Sequence, residues 1–488
     1  MLALLPANRV AASEPMNWSE PEQIGTNLST SWFPEIFADA AGTIRVVWDA
    51  GLERSEGSLA TGRSGVMLSQ SVDSGWSEPS EILLGQAGYV TRPIIVTDSS
   101  YAYLLFRTSR MYVSRAPLTS DLQNAHSWST PYPLSSDESY WGQIVALPDG
   151  TVVTVFSQMA SVQVAGNTER RMALFMRRSV DHGQTWGYEE RLSDTSERTA
   201  RSSLVLAPDG RTLLLAWDEG YDALTGGGDP HAISLLASRD GGATWGSPNT
   251  ILGEYDQSVL ATNGTTSILV YRSTTTDELM FRRSEDLGET WSEQAPIPGV
   301  TARPYTSTHH FDKLSLAVDG DGRILLSYIG QPSDNPDQLS VMVATFFAAE
   351  WTTPQMVATP EGLPEYPRIC VGLGNQVRLV YFVRDSEASD EQRRTLWAVS
   401  ATSSAQPATP VPYQAVSVET PVVTSVFAAT PVPRPTVPSA PSPVSPGTVR
   451  TDSPQTIVIQ PVLLLIASIL ASVVAVAGVG RLWTEIRN

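Results

Sequence analysis

One eight-residue phrase occurs three times in the middle of this chain. It is SVDHGQTW at 179–186, SRDGGATW at 238–245 and SEDLGETW at 284–291, and a shortened fourth copy, SVDSGW, ends at Trp76. Repetition at a period of a few tens of residues indicates stacked copies of one supersecondary unit, each of which buries its faces against its neighbours. The phrase therefore predicts a repeat architecture.

The tryptophan that ends each copy also recurs along the rest of the chain. The series comprises Trp18, Trp76, Trp128, Trp186, Trp245, Trp291 and Trp351. Seven such anchors predict seven structural units. Six regular units and one irregular segment are the alternative.

Short apolar runs alternate with turn residues inside each unit. RSSLVLAPDG (201–210) is followed by TLLLAW (212–217), by HAISLLAS (231–238) and by the segment after Trp245. This pattern is typical of antiparallel strands joined by tight turns, and four such strands per unit around an axis predict an all-β, seven-bladed β-propeller. The last unit supplies only three strands, whereas 18–24 is an unpaired strand at the N-terminus. We expect that N-terminal strand to complete the last blade, which leaves no long sheet edge open.

The composition changes after about residue 402, and this change sets the expected domain boundaries. We expect a short N-terminal segment at 1–17, the propeller at 18–401, a disordered Pro/Ser/Thr-rich stalk at 402–455, a transmembrane helix at 456–480 and a cytoplasmic tail at 481–488. The apolar run 457–480 would be about 36 Å long as a helix, enough to cross a bilayer core of about 30 Å. Arg481 and Arg487 follow that run, which favours a cytoplasmic C-terminus. The sequence thus predicts a single-pass protein of the cell membrane with its propeller outside the cell.

The repeated phrase, Ser-x-Asp-x-Gly-x-Thr-Trp, resembles the Asp-box, or BNR repeat, of the sialidase superfamily. In that family the box lies on the turn between the third and fourth strands of a blade, away from the active face. The Asp side chains can accept hydrogen bonds from turn amides, and the indoles can pack between sheets. We therefore expect a structural role for the box residues, which are Asp181, Asp240, Asp286, Trp186, Trp245 and Trp291.

The opposite face is where ligand chemistry is expected. Alignment of the first strands by their turns places a polar residue at one equivalent position in every unit, the set being Glu35, Arg92, Gln143, Ser203, Gln257, Lys313 and Arg368. A ring of polar groups at the mouth of the axial channel predicts a concave site for a polar ligand. Arginine binds carboxylates well, so the basic members of this ring, together with Arg201, favour an anionic ligand.

The resemblance to sialidases implies specific roles for a few residues. Those enzymes hold the sugar carboxylate with three arginines, use a tyrosine nucleophile activated by a glutamate, and use an aspartate as acid and base. Tyr366 beside Glu365 matches the nucleophile pair. Asp229 or Asp49 matches the acid, provided that burial raises its pKa. No cofactor and no metal is expected for this chemistry.

The net charge of −19 argues against nucleic acid as a partner, because no basic stripe is available to neutralise phosphates. The sequence predicts a cell-surface, sialidase-like propeller that recognises glycans bearing acidic sugars. Whether it also hydrolyses them stays open, because the family's Arg-Ile-Pro signature is absent. The alternative is a non-catalytic scaffold that binds glycans or presents its loops to a protein partner.

Overall fold

The computed structural model describes residues 15–404, apart from 27–29, 40, 53–62, 74, 84–89, 165, 195–197, 223, 225–226, 305–313, 334 and 385–393. The predicted stalk beyond residue 404, the predicted membrane span and the predicted tail lie outside the described residues. Within the part of the chain that is described, no helix is both long enough and apolar enough to cross a membrane.

The described residues form seven antiparallel blades. Blade 1 contains β2 (Thr30–Ala38), β3 (Ile44–Leu52), β4 (Arg63–Val72), β5 (Gly75–Trp76) and β6 (Ser80–Glu81). Blade 2 contains β7 (Thr91–Thr97), β8 (Tyr101–Arg107), β9 (Met111–Pro117) and β10 (Tyr132–Pro133). Blade 3 contains β11 (Ser139–Ala146), β12 (Val152–Val164), β13 (Asn167–Ser179) and β14 (Glu190–Arg191).

Blades 4 to 7 repeat this order. Blade 4 contains β15 (Thr199–Leu206), β16 (Leu213–Glu219), β17 (Ala232–Ser238) and β18 (Asn249–Leu252), and blade 5 contains β19 (Tyr255–Thr262), β20 (Ser267–Ser273), β21 (Leu279–Ser284) and β22 (Ala295–Pro296). Blade 6 contains β23 (Ser315–Val318), β24 (Ile324–Gly330), β25 (Ser340–Phe347), β26 (Glu350–Trp351) and β27 (Gln355–Ala358). Blade 7 contains β28 (Leu363–Val371), β29 (Gln376–Arg384), β30 (Arg394–Thr402) and β1 (Glu22–Ile24). Two short 3-10 turns, Ala125–Ser127 and Leu373–Asn375, lie in connections.

The seven first strands form the inner ring of the propeller. Each contacts the first strand of the next blade, in the order β2, β7, β11, β15, β19, β23, β28 and back to β2. The seven-blade prediction is therefore confirmed, and the six-blade alternative is wrong.

The ring is closed by the N-terminal strand, as predicted. β1 pairs antiparallel with β30, so that Gln23 lies opposite Trp397 and Ile24 opposite Leu396. The chain thus begins and ends its propeller in one blade. This pairing covers the edge of β30, which would otherwise be free to pair with another chain.

The apolar core lies between neighbouring blades. One cluster of buried residues combines Val153 and Leu174 of blade 3 with Leu213 and Trp217 of blade 4, and the Asp-box indole of Trp245 packs against it. The other two box indoles pack in the same way, one between blades 2 and 3 and one between blades 4 and 5. Each box indole therefore joins two sheets.

The Asp-box side chains fix their own turns. The Oδ1 of Asp181 accepts from the backbone N–H of Thr185 at 2.8 Å and from the Ser179 hydroxyl at 2.7 Å, and its Oδ2 accepts from the Thr185 hydroxyl at 2.6 Å. Asp240 and Asp286 make the same three bonds. The boxes follow the third strands, at the opposite end of the blades from the loops between second and third strands. Ligand chemistry must therefore be sought at that other end.

Candidate active site at the hub

A β-bulge interrupts the first strand in six of the described blades. In β2, for example, Trp32 pairs with Asp49 and Glu35 pairs with Val47, so that two residues of β2 lie opposite Trp48 alone. The same shift occurs in β7, β11, β15, β19 and β28. Bulges bend a strand and change the direction of its side chains, and they are frequent beside active sites.

The first residue of the bulge has a left-handed backbone in four blades, although none of the four is glycine. The φ values are 46° at Phe33, 57° at Arg92, 62° at Gln257 and 56° at Tyr366. Such conformations cost about 1–3 kcal/mol each and cluster at functional sites. Their recurrence at one position around the hub marks this ring as a candidate site.

The bulges also correct the ring predicted from the sequence. Arg92 and Gln257 are first bulge residues, Glu35 and Arg368 directly follow a bulge, and Gln143 and Ser203 lie one residue further on. The expected single equivalent position is therefore wrong, because the alignment by turns did not allow for the one extra residue of each bulge. Lys313 lies outside the described residues.

Aromatic rings and one arginine make a continuous layer across blades 7, 1, 2 and 3. The ring of Tyr366 lies 5.5 Å from that of Phe33. The guanidinium carbon of Arg92 lies 4.1 Å from the ring centre of Phe33, 4.7 Å from that of Tyr140 and 3.8 Å from that of Trp141. Side chains from the bulges of four consecutive blades therefore contact one another in a row.

Arg92 is a buried cation with unfilled hydrogen-bonding capacity. The residue is 8% exposed, and its Nε and Nη1 atoms are buried with no hydrogen-bond partner among the residues that the structure describes. Contact with three rings stabilises the positive charge, but a buried N–H that makes no hydrogen bond costs about 1–3 kcal/mol. An anionic ligand would remove that cost.

Tyr366 contacts a different glutamate from the one predicted. Its hydroxyl donates to Oε1 of Glu35 at 3.4 Å, across the junction of blades 7 and 1. Glu365 instead accepts from Arg384 at 2.8 Å and lies 3.5 Å from Arg303. The contacts described here thus join Tyr366 to Glu35 and Glu365 to two arginines.

Charges around Tyr366 come from four blades. Burial, and then the negative charge of Glu35, raises the pKa of the Tyr366 hydroxyl, whereas Arg368, Arg92 and Arg201 act in the opposite direction. The three arginines predicted to bind an anion are therefore close enough to influence one phenol. The hydroxyl stays protonated near neutral pH and can give its proton only to a neighbouring base such as Glu35.

Two of the three arginines carry ion pairs. Arg368 donates through Nε to Glu35 at 2.7 Å, and Arg201 donates through Nη1 to Asp256 at 2.5 Å. The guanidinium of Arg201 also lies 5.3 Å from the ring centre of Trp141, which connects blade 4 to the aromatic layer. The arginines are thus held in place at the hub.

A second carboxyl group, Asp218, adjoins Asp256 beneath Arg201. It accepts from the backbone N–H groups of Gln257 and Ser258 at 2.9 and 3.0 Å. Burial and the charge of Asp256 raise the pKa of Asp218, whereas the charge of Arg201 lowers the pKa of Asp256 in spite of its burial.

Asp49 has the pKa that the sequence hypothesis required of an acid. It lies within β3, opposite Trp32, is 5% exposed, and its Oδ1 has no hydrogen-bond partner among the described residues. Burial raises the pKa of Asp49 to about 7, against the opposing effects of a hydrogen bond from Thr91 and the charge of Arg92. A carboxyl group that is half protonated near pH 7 is suited to both giving and taking a proton.

Asp229 and Gln143 lie outside the contacts described above, whereas Gln257 takes part through its backbone N–H to Asp218. Asp229 is exposed in the loop between β16 and β17, at the same end of the blades as the hub cluster. Gln143 is half-buried in β11, where its backbone pairs with Val155. Gln257 is 2% exposed, and its side-chain Oε1 has no hydrogen-bond partner.

The sequence analysis missed Tyr140, Trp141, Asp218 and Asp256. A usable signal was present, because three first strands carry an X-Pro dipeptide as the two bulge residues, in Phe33-Pro34, Arg92-Pro93 and Tyr366-Pro367. Proline inside a sheet is confined to edges, strand starts and bulges. A second signal is the repeated Trp-Asp pair of 48–49 and 217–218, which supplies the buried Asp49 and Asp218.

Comparison with known proteins agrees with the repeats and the fold. The model of the BNR repeat-like domain matches residues 111–374, more than half of the chain and all three complete boxes. The chain belongs to the BNR repeat-like domain family. The predicted Asp-box, or BNR, resemblance is therefore confirmed. No curated protein sequence matches this BNR propeller.

Solved structures resemble the BNR propeller at low identity. An ulvan lyase, a polysaccharide lyase bound to a saccharide, matches with a TM-score of 0.51 and 9% identity over 76% of this chain and 95% of the lyase. A protein of unknown function from Dyadobacter fermentans has a TM-score of 0.46 and 14% identity over 79% of this chain and 99% of its own. The NanB sialidase of Streptococcus pneumoniae has a TM-score of 0.42 and 14% identity over 80% of this chain and 70% of its own. At these identities the likeness concerns the fold alone.

Proposed function

We propose that the hub of this BNR propeller binds the carboxylate of acidic sugars in glycans. The observation that carries the proposal is Arg92, a buried guanidinium held by three aromatic rings with two nitrogen atoms lacking partners. The carboxyl group of Asp49 interacts electrostatically with Arg92 but is largely neutral below pH 7. It therefore does not neutralise the guanidinium charge, which can attract a ligand carboxylate. Charge-assisted bonds between arginine and carboxylate are among the strongest that such a site can make.

The same cluster supports hydrolysis of the bound sugar. In this scheme the Tyr366 oxygen attacks the anomeric carbon while its proton passes to Glu35, and Asp49 gives its proton to the departing oxygen. The bond from tyrosine to sugar is then broken by water, whose proton returns to Asp49, and Glu35 gives its proton back to the phenolate. The contact between Tyr366 and Glu35 and the pKa of Asp49 near 7 support these roles. The fold likeness to an ulvan lyase bound to a glucuronate-containing saccharide is compatible with an acidic sugar as ligand.

Binding without turnover is the second candidate. Tyr366 is only 2% exposed, and Arg201 and Arg368 are already paired with acids. Such a hub would present Arg92 alone to a carboxylate. This arrangement suits a glycan-binding scaffold that contacts the acidic group and releases the glycan unchanged.

The experiment uses the full chain with N-acetylneuraminic acid, glucuronic acid and their fluorogenic glycosides. Arg92→Gln should weaken binding of the free acids by roughly tenfold to a hundredfold, the effect of one lost hydrogen bond to a charged group. Tyr366→Phe should keep binding but abolish release of the fluorophore. Arg115→Gln is the matched control, because Arg115 also lies over a ring, that of Tyr101 at 4.8 Å, but in blade 2 beside an Asp-box.

The outcomes separate the candidates. Equal affinity of wild type and Arg92→Gln would overturn the proposed site. Unchanged binding with no release above the Tyr366→Phe background would leave the binding scaffold as the function. Release that persists in Tyr366→Phe would show that the nucleophile is another group.

The cellular location is a separate proposal that rests on the sequence. We propose that 457–480 anchors the protein in the cell membrane with the propeller outside. Protease treatment of intact cells should then remove the propeller and leave a small membrane-bound fragment. A protected propeller, or one recovered in the soluble fraction, would contradict this orientation.

A further inference from the structure

A second cavity lies beside blade 7, where the N-terminal strand closes the ring. This closure cleft has a volume of about 480 Å³. Its lining comprises Pro21, Gln23, Pro360, Glu361, Tyr381, Val383, Thr395 and Trp397. The volume lies within the range of small-molecule sites.

The strand registers explain the floor of the closure cleft. Tyr381 pairs with Trp397, and Trp397 pairs with Gln23, so that these three residues form one row across β29, β30 and β1. Val383 and Thr395 form the next row on the same face, because residues two apart in a strand point to the same side. The connection from β27 to β28, which carries Pro360 and Glu361, borders this floor.

The floor offers an aromatic surface with hydrogen-bonding groups around it. Tyr381 is fully buried, and its hydroxyl has no hydrogen-bond partner within the described part of the chain. Trp397 is half-buried and donates through its indole N–H to the Thr395 hydroxyl at 2.9 Å. The amide of Gln23 and the exposed carboxylate of Glu361 add donors and acceptors. An unpartnered hydroxyl in a cleft wall is a cost that a polar ligand can remove.

The charge of the closure cleft distinguishes its ligand from that of the hub. Among the described residues that line it there is no lysine or arginine, and Glu361 is the one ionisable group apart from the tyrosine. An anionic sugar is therefore disfavoured here. The flat carbon face of a neutral pyranose can lie on an indole while its hydroxyls bond to amide, hydroxyl and carboxylate groups.

We propose that the closure cleft binds a neutral, hydroxyl-rich saccharide unit, at a site separate from the hub. Two aromatic side chains supply the apolar surface, and the unpartnered Tyr381 hydroxyl, Thr395, Gln23 and Glu361 supply the polar contacts. The cleft lies where β1 pairs with β30, at the place where the N-terminal strand closes the ring.

The test measures binding of lactose, cellobiose and maltose to the full chain by saturation-transfer NMR and calorimetry. At least one of the three should bind, and Tyr381→Phe should weaken it about fivefold through loss of one hydrogen bond. Because the hydroxyl has no protein partner, Tyr381→Phe should melt at the same temperature as wild type or higher. Trp397→Ala should abolish binding, and Gln23→Leu gives an independent variant if Trp397→Ala fails to fold.

Controls distinguish binding at this site from binding at the hub and from nonspecific binding to exposed aromatic side chains. Tyr188→Ala removes an aromatic side chain that is 97% exposed elsewhere, and it should bind as wild type does. N-acetylneuraminic acid should not compete with the neutral disaccharide, so failure at the hub and failure here are distinguishable. The proposal is overturned if none of the three disaccharides binds, if Tyr381→Phe and Gln23→Leu both bind as wild type does, or if a proline-rich peptide binds in a Trp397-dependent way instead.

Discussion

Replacement of Asp49 by asparagine should change how the stability of the propeller depends on pH. Asp49 is buried within β3, one of its oxygens has no hydrogen-bond partner in the described part of the chain, and burial raises its pKa from 3.8 to about 7. The neutral acid and the neutral amide are similar in size. Asp49→Asn therefore keeps the packing and removes only the titration.

The size of the effect follows from the shift in pKa. The shift is about three units, and each unit corresponds to about 1.4 kcal/mol, so the total is about 4 kcal/mol. The sign of the effect follows because the pKa of the carboxyl group is higher in the folded protein than in the unfolded chain. Between pH 4 and pH 7 the folded protein holds a proton that the unfolded chain has lost. Stability of wild type therefore falls as the pH rises through this window and becomes level above the folded pKa. Asp49→Asn should not show that fall.

The measurement is urea unfolding of the full chain at pH 5, 6, 7 and 8. The variant should gain stability relative to wild type with each step, and the gain should level off above about pH 7. Asp229→Asn is the control, since Asp229 is exposed in the loop between β16 and β17. Parallel pH profiles for wild type and Asp49→Asn would show that the carboxyl group ionises normally, and the acid role proposed for Asp49 would fail with it.

Three further outcomes are expected. Trp245→Ala should lower the free energy of unfolding by an amount near the low end of about 3–5 kcal/mol, because the indole packs between blades 3 and 4 but is only half-buried. Thermal or urea unfolding measures this loss. Hydrogen bonds from Thr290 lower the pKa of Asp286 to about 2, so wild type should be more stable than Asp286→Asn above about pH 4 and should lose that advantage between pH 4 and pH 2. Melting curves over pH 2–6 test this prediction, and a stability difference that is constant with pH would contradict it. Deletion of residues 1–24 removes β1 and uncovers the edge of β30, so the truncated chain should form soluble oligomers by light scattering.

Local patterns in the sequence were sufficient to predict the blades. The Asp-box encodes its own turn, because its aspartate, serine and threonine bond to one another within a few residues. Tryptophan spacing then gave the number of units, and the odd strand at the N-terminus gave the closure. These features depend on neighbours in the chain, which a sequence displays directly.

The candidate site depends on contacts that a sequence does not display. Tyr366 and Glu35 are 331 residues apart and meet only because blade 7 closes against blade 1. The bulges add a second difficulty, since one extra residue in six of the first strands changes which side chains are equivalent from blade to blade. Residue types at the hub were therefore predicted better than their partners, as Glu365 illustrates.

The bulges also explain why cations and aromatic rings alternate around the hub. A left-handed, non-glycine residue at Phe33, Arg92 and Tyr366 is unfavourable by itself, and it persists only where the surroundings compensate for it. In blades 7, 1 and 2 the compensation is mutual, because each of these side chains packs on the next, and Arg92 extends the row to blade 3. The same row leaves two buried nitrogen atoms of Arg92 without partners. Backbone strain and unfilled hydrogen bonds thus occur together at Arg92. A bound carboxylate would accept the missing hydrogen bonds, while the packing of the rings would continue to compensate for the backbone strain.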